Sequence, residues 1–128
     1  MRYLYLISIL FCLNSCHKVK FTGDFATLVG DYEWVYSEMG STEYILAESH
    51  PDKYGVRITK KSKIIFFKNG VQTEKYRINH SSYNADDEIG LTFNKEGGYL
   101  QNNVKIKNGI LKLSMYPFNS DKNMFSKK

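Results

Sequence analysis

Three histidines, two cysteines and one short acidic run are the residues that could carry chemistry in this 128-residue chain. His17, His50 and His80 lie far apart, without the close spacing that a metal site built from neighbouring ligands would show. Asp86-Asp87-Glu88 offers carboxylates to a hard cation. A calcium loop needs more oxygen ligands and a glycine-shaped turn, so a solvated acidic loop is expected there. Ser81 and Ser82 follow His80. A nucleophile, however, needs a base that a third group orients, and adjacency along the chain does not supply one. Gly97-Gly98 has neither a following helix nor the Lys-Ser/Thr of a phosphate loop. No catalytic constellation, metal site or cofactor is therefore expected, and the chain does not read as an enzyme. One candidate remains, the Cys16 thiol, which stands directly behind an apolar run.

Arg2 gives that run a positive flank, and Tyr3 to Leu13 make up its eleven residues. Spanning a bilayer core takes about 20 apolar residues, so the run is too short to cross. Its length suits the apolar region of a secretory signal. The ending Leu13-Asn14-Ser15-Cys16 resembles the bacterial lipoprotein box. That resemblance implies cleavage between Ser15 and Cys16 and a diacylglyceryl group, palmitate-like in chemistry, on the Cys16 sulfur. One acyl chain holds a protein to a membrane marginally, and two or more hold it stably. The chain then divides into a signal peptide (1–15), an anchor and tether (16–27) and a folded domain (28–128). It is expected in a bacterial cell envelope, lipid-anchored at the outer membrane, with the membrane as its first partner. Cys12 leaves with the signal, so no disulfide is available and the core alone must stabilise the domain.

The formal net charge is +5, with lysines spread along the whole length. Nucleic-acid recognition would need a basic cluster on a recognisable module, and the sequence holds none. Most of the lysines suit solvated strand edges and turn flanks. A positive surface also favours an anionic membrane or partner.

The elements follow from periodicity. Phe25 and Leu28 suit one helical turn. From Gly30 the pattern has period two, and Tyr32, Trp34 and Tyr36 fall on one face of a strand. Residues 40–53 read as a loop, with a helical turn at Tyr44–Ala47 as an alternative. Residues 55–60 and 63–68 are rich in β-formers, and Asn69-Gly70 then supplies the positive φ angles of a tight hairpin turn. Residues 71–79 make the return strand and 80–88 a polar loop. In this first hairpin Ile64 and Phe66 group with Val71, Thr73 and Lys75. Ile65 and Phe67 group with Gln72, Glu74 and Tyr76, and which group faces inward stays open. Ile89, Leu91 and Phe93 alternate with polar or small residues, as in a half-buried strand. Gly97-Gly98 marks another turn. A turn at Asn108-Gly109 pairs Lys107 with Ile110, Ile106 with Leu111 and Val104 with Leu113, which makes one face apolar. Pro117–Asp121 turns into a final run ending at Lys127. The expectation is an all-β domain of about eight strands in an antiparallel up-and-down barrel, with a sandwich as the alternative. Eight strands enclose just enough space for one small ligand.

Leu28-Val29-Gly30-Asp31-Tyr32-Glu33-Trp34-Val35 resembles the opening of the small lipocalin-like lipoproteins of Bacteroidetes, whose first strand begins Gly-x-Trp-x-Trp. Tyr32 stands for the first Trp and Trp34 matches the second. The segments Pro51–Arg57, Phe66–Gly70 and Asn108–Ser114 follow the same layout, so the resemblance covers residues 28–128. It implies an eight-stranded calycin-type barrel. In lipocalins a basic residue near the last strand packs over the first-strand Trp, and Lys127 is the nearest counterpart. Two functions fit. A small hydrophobic ligand could bind in the barrel, with Tyr32, Trp34 and Tyr36 lining its cavity. Alternatively the domain is a protein-interaction or inhibitor module acting through loops 40–53 and 80–88. The same aromatic stripe also suits the floor of a filled barrel.

Overall fold

A computed structural model describes residues 23–83, 88–94 and 101–128 of the protein. Cys16, His17, Asp86, Asp87 and the Gly97-Gly98 turn lie outside those residues. A 3-10 turn (Gly23–Leu28) leads into nine strands, interrupted by a second 3-10 turn at Ala47–Ser49. The strands are β1 (Gly30–Met39), β2 (Glu43–Leu46), β3 (Tyr54–Ile58), β4 (Lys63–Lys68), β5 (Val71–Tyr83), β6 (Ile89–Asn94), β7 (Gln101–Lys107), β8 (Ile110–Leu113) and β9 (Lys122–Lys127). All neighbours are antiparallel, in the order β2-β1-β3-β4-β5-β6-β7-β8-β9, and β9 returns to pair with β1. Eight strands thus close into a lipocalin-like up-and-down barrel, with β2 as one extra strand.

β1 makes this closure possible because it serves three partners. Its first half pairs with β3 from Gly30↔Ile58 to Glu33↔Gly55, and its second half pairs with β2 from Tyr36↔Leu46 to Met39↔Glu43. Its other edge carries β9. β2 and β3 therefore lie end to end along one side of β1. Beyond β1, β2 has no strand partner among the described residues. The two Asn-Gly turns form as their chemistry demands, with positive φ at Asn69, Gly70, Asn108 and Gly109. The second turn gives the register expected from sequence, including Val104↔Leu113 and Ile106↔Leu111.

Four expectations are corrected. First, residues 43–46 are neither loop nor helical turn but strand, because their backbone groups find β1. Second, a bulge at Thr73 puts Glu74 rather than Thr73 opposite Phe66. One extra residue exchanges the two faces of everything after it. Ile64 and Phe66 therefore share the inner face with Tyr76 and Ile78, and Lys75 turns outward beside Ile65. Third, a bulge between Trp34 and Tyr36 swaps the faces of β1, so Ser37 is fully buried and Tyr36 leaves the side of Tyr32 and Trp34. Fourth, residues 80–83 extend β5 and pair with β6 from His80↔Thr92 to Tyr83↔Ile89. They lie at the end of the barrel where β1 begins, while the β1–β2 turn lies at the other end. The described residues 40–53 and 80–83 therefore form no common surface.

The middle of the barrel is packed among the described residues. Val56, Ile58, Ile64, Phe66, Ile78, Leu91, Phe93, Val104, Leu111, Leu113 and Phe125 point inward and are buried. The end where β1 begins, called the lower end below, is sealed by Leu28, whose carbonyl accepts a 2.8 Å hydrogen bond from the Tyr32 hydroxyl. The Lys127 side chain crosses Gly30, where a Cβ would stand 2.9 Å from Lys127 Cε, and its Nζ donates to the Thr27 carbonyl. Lys127 therefore ties β9 to the turn that precedes β1.

Candidate functional site

Trp34 sits on the inner face of β1 at 2% exposure. Its Nε1 donates to Ser37 Oγ at 2.9 Å, and Ser37 Oγ donates to Asn123 Oδ1. Asn123, on β9, is fully buried, and its Nδ2 faces the carbonyls of Leu113, Phe118 and Ser120 at 3.0, 3.1 and 3.0 Å. The β1 bulge is what brings Ser37 to this position. A buried amide needs partners for both its ends, and here each end has them.

The segment from Ser114 to Asp121 is tied down by these bonds. It crosses the upper end of the barrel as a strap. The Met115 N–H donates to the Ser120 carbonyl at 2.8 Å, and Ser120 Oγ donates to the Glu38 carbonyl. Tyr116 and Phe118 drop from the strap into the opening. The Tyr116 ring lies 4.7 Å from Phe66 and stacks toward Phe125, and its hydroxyl donates to the Phe67 carbonyl at 2.9 Å. Burial pushes the Tyr116 hydroxyl up to about 12, and it does the same for Tyr32 at the other end. Phe118 meets Trp34, His50 and Tyr54 at 5.4, 5.4 and 6.0 Å. The ring nitrogen Nδ1 of His50 accepts the Asp52 backbone N–H at 3.1 Å. Asp52 in turn bonds the Asn69 side chain, which holds its carboxyl below the usual range. His50 is thus a packing residue of this aromatic cluster. No group of three His, Cys, Asp or Glu side chains among the described residues could hold a metal ion.

The expected cavity lining does not assemble. Tyr32 and Trp34 face the packed core, and the 270 and 490 Å³ cavities they border also touch the outward residues Asp31, Glu33 and Val35, so those cavities lie outside the barrel. Tyr36 stands apart, 6.0 Å from Tyr44. A different cavity of about 380 Å³ opens at the upper end beside the strap. Phe66, Tyr76, Phe93 and Tyr116 line it, with Lys68 and Glu74 at its border.

Outside the barrel, the flank of β1 and β2 exposes apolar side chains. Val35, Tyr44 and Leu46 are 44%, 60% and 43% exposed. The 490 Å³ groove opens beside them, where residues 47–53 leave β1 between β2 and β3. Residues 30–49 carry Asp31, Glu33, Glu38, Glu43 and Glu48 and no Lys or Arg in a chain of net charge +5, while Lys53, Lys127 and Lys128 line the groove from outside that segment. Asp31 is paired with Arg57 and Glu38 with Lys122. Sequence reading missed both the strap and this flank. The signals available were the polar Asn123 two residues before the core residue Phe125, and the charge asymmetry of residues 30–49.

No family model, curated protein or solved structure matches the chain.

Proposed function

We propose that this chain is a lipid-anchored envelope protein of the small lipocalin-like kind, whose barrel acts as a protein-interaction module through the outer flank of β1 and β2. The free edge of β2 beside the exposed apolar side chains of Val35, Tyr44 and Leu46 is the observation that supports this reading. A strand edge without a partner presents unpaired N–H and C=O groups to any extended segment that can reach it. Tyr44 and Leu46 offer apolar contact on one face of that edge. Glu43 and Glu48 favour an extended partner segment that carries lysine or arginine between apolar residues. Photocrosslinking in the native host tests this, with a benzophenone side chain placed at Tyr44 and, as a control, at the equally exposed Val71. The expected result is one discrete adduct from position 44, lost when Ile45→Pro removes strand geometry from β2. Equal crosslinking at both positions, or none at position 44, would contradict the reading.

A second reading rests on the 380 Å³ aromatic cavity beside the strap. In that reading the upper end takes a small amphipathic molecule, its apolar part against Phe66, Tyr76 and Tyr116. Saturable binding that Tyr116→Ala weakens and Tyr44→Ala leaves unchanged would favour it over the interaction module.

A further inference from the structure

The lower end of the barrel differs in charge from the upper end. The turn between β3 and β4 carries Lys60 and Lys61 at its tip, both exposed. That tip is rigid. The Ser62 N–H donates to the Thr59 carbonyl at 3.1 Å, Thr59 N–H donates to the Lys63 carbonyl at 2.9 Å, and Ile78 N–H donates to the Ser62 carbonyl at 2.8 Å. Next to it Lys63 faces Arg77 directly across β4 and β5. Two like charges opposite each other destabilise a sheet unless an outside anion offsets them. Lys107 ends β7 at the same end, and Lys128 follows β9 there. None of these six cations makes an ion pair among the described residues. Against them the lower end carries Asp24 in the entering turn, Asp31 paired with Arg57 and Glu88 paired with Lys105, and Asp86-Asp87 fall in the sequence between β5 and β6. The upper end carries Glu38, Glu43, Glu48, Asp52 and Asp121 with Lys53, Lys68 and Lys122, so the lower end keeps the cationic surplus.

The chain also enters the domain at this basic end. The Gly23–Leu28 turn runs into β1 there, with Leu28 plugging the barrel. Residues 16–22, which precede that turn, add Lys18 and Lys20 to the sequence. Seven residues reach at most about 25 Å when fully extended. An anchor at Cys16 therefore keeps the lower end close to the bilayer.

We propose that the lower end is a membrane-docking surface, on which Lys60, Lys61, Lys63, Arg77, Lys107 and Lys128 seat against anionic lipid headgroups. This rests on the reading of Cys16 as a lipid anchor. Each cation held near an anionic surface strengthens attachment about fivefold, and the attraction fades beyond a Debye length of about 8 Å in physiological salt. Six cations on a short tether therefore orient the barrel. Its lower end lies on the membrane and its strap and β2 edge point away, toward partners.

The test uses the full lipid-bearing chain, purified from its host membrane and reconstituted into two kinds of vesicle. One is phosphatidylcholine alone, and the other is phosphatidylcholine mixed with phosphatidylglycerol. Flotation reports anchoring, and acetylation of surface amines followed by peptide mass spectrometry reports docking. On the anionic vesicles, labelling of Lys60, Lys61 and Lys128 should fall severalfold relative to Lys53 and Lys122, and high salt should restore it. The double variant Lys60→Glu, Lys61→Glu should float equally well but lose the protection of Lys128. A chain that floats with both vesicles and labels uniformly overturns docking and leaves the anchor standing. A chain that floats with neither overturns the anchor and docking together.

Discussion

Replacing Asn123 with Ala should loosen the whole upper end, because one side chain ties β1, β8, β9 and the strap together. The Ser37 hydroxyl loses its acceptor, and the Leu113 carbonyl loses the amide that reaches it. The Phe118 and Ser120 carbonyls are affected less, because each also accepts a backbone N–H, from Ser120 and Met115 respectively. Leaving a buried polar group without a partner costs about 1–3 kcal/mol. The Ser37 loss alone gives about 1–3 kcal/mol, a sizeable share of the roughly 5–15 kcal/mol that holds a small domain together. Lys122→Ala, one residue away with its ammonium largely in solvent, should cost about 0.5 kcal/mol or less despite its ion pair with Glu38. Urea unfolding measures both. Emission from Trp34, the one tryptophan, reports the site, and far-ultraviolet circular dichroism reports the sheet. Ser37→Ala should cost less than Asn123→Ala, and the double variant should fall short of the sum, since both remove the same bond. An Asn123→Ala loss under about 1 kcal/mol, or full additivity with Ser37→Ala, would refute the idea that this network closes the barrel.

Leu113 is buried on β8 and Lys112 is on the opposite face, so Leu113→Ala should cost roughly 2–5 kcal/mol by lost burial and cavity, and Lys112→Ala under about 0.5 kcal/mol, as denaturant melts would show. Tyr32 and Tyr116 ionise near 12 in the folded chain rather than 10, so stability should be level up to pH 10 and fall as pH rises from there toward 12. Tyr32→Phe should soften that alkaline loss in pH-dependent urea melts, and a stability that rises above pH 10 would contradict the assignment. Cys16→Ser should abolish metabolic lipid labelling and release the protein from the membrane fraction. Persistent labelling with sedimentation would remove the anchor from the account.

The Val104–Leu113 hairpin was legible because its turn residues and its alternation agree, and no extra residue intervenes. The first hairpin had an equally clear turn, yet its inner face could not be read. The bulge at Thr73 is a backbone choice that tertiary packing makes: it turns Tyr76 and Ile78 into a barrel that already holds Phe66 and Phe93. The same physics hid the fate of Tyr36. Strict alternation put it beside Tyr32 and Trp34, but the barrel needed Ser37 inside to satisfy Trp34 Nε1 and Asn123. β2 reads as loop in the sequence because Tyr44, Ile45 and Leu46 are consecutive and show no alternation over so short a run. Its strand conformation comes from the unfilled upper half of the β1 edge. The aromatic stripe was visible in the sequence, whereas whether it floors a cavity or a packed core depends on the strap, which reads only as turn residues.

The most direct test of the account is native mass spectrometry of the mature protein released intact from its own host membrane. A barrel that works through its outer flank should carry its Cys16 acyl groups and no further small molecule, under conditions gentle enough to preserve a bound protein segment. A stoichiometric apolar ligand, one per chain and released by Tyr116→Ala, would contradict it and return the function to the barrel interior.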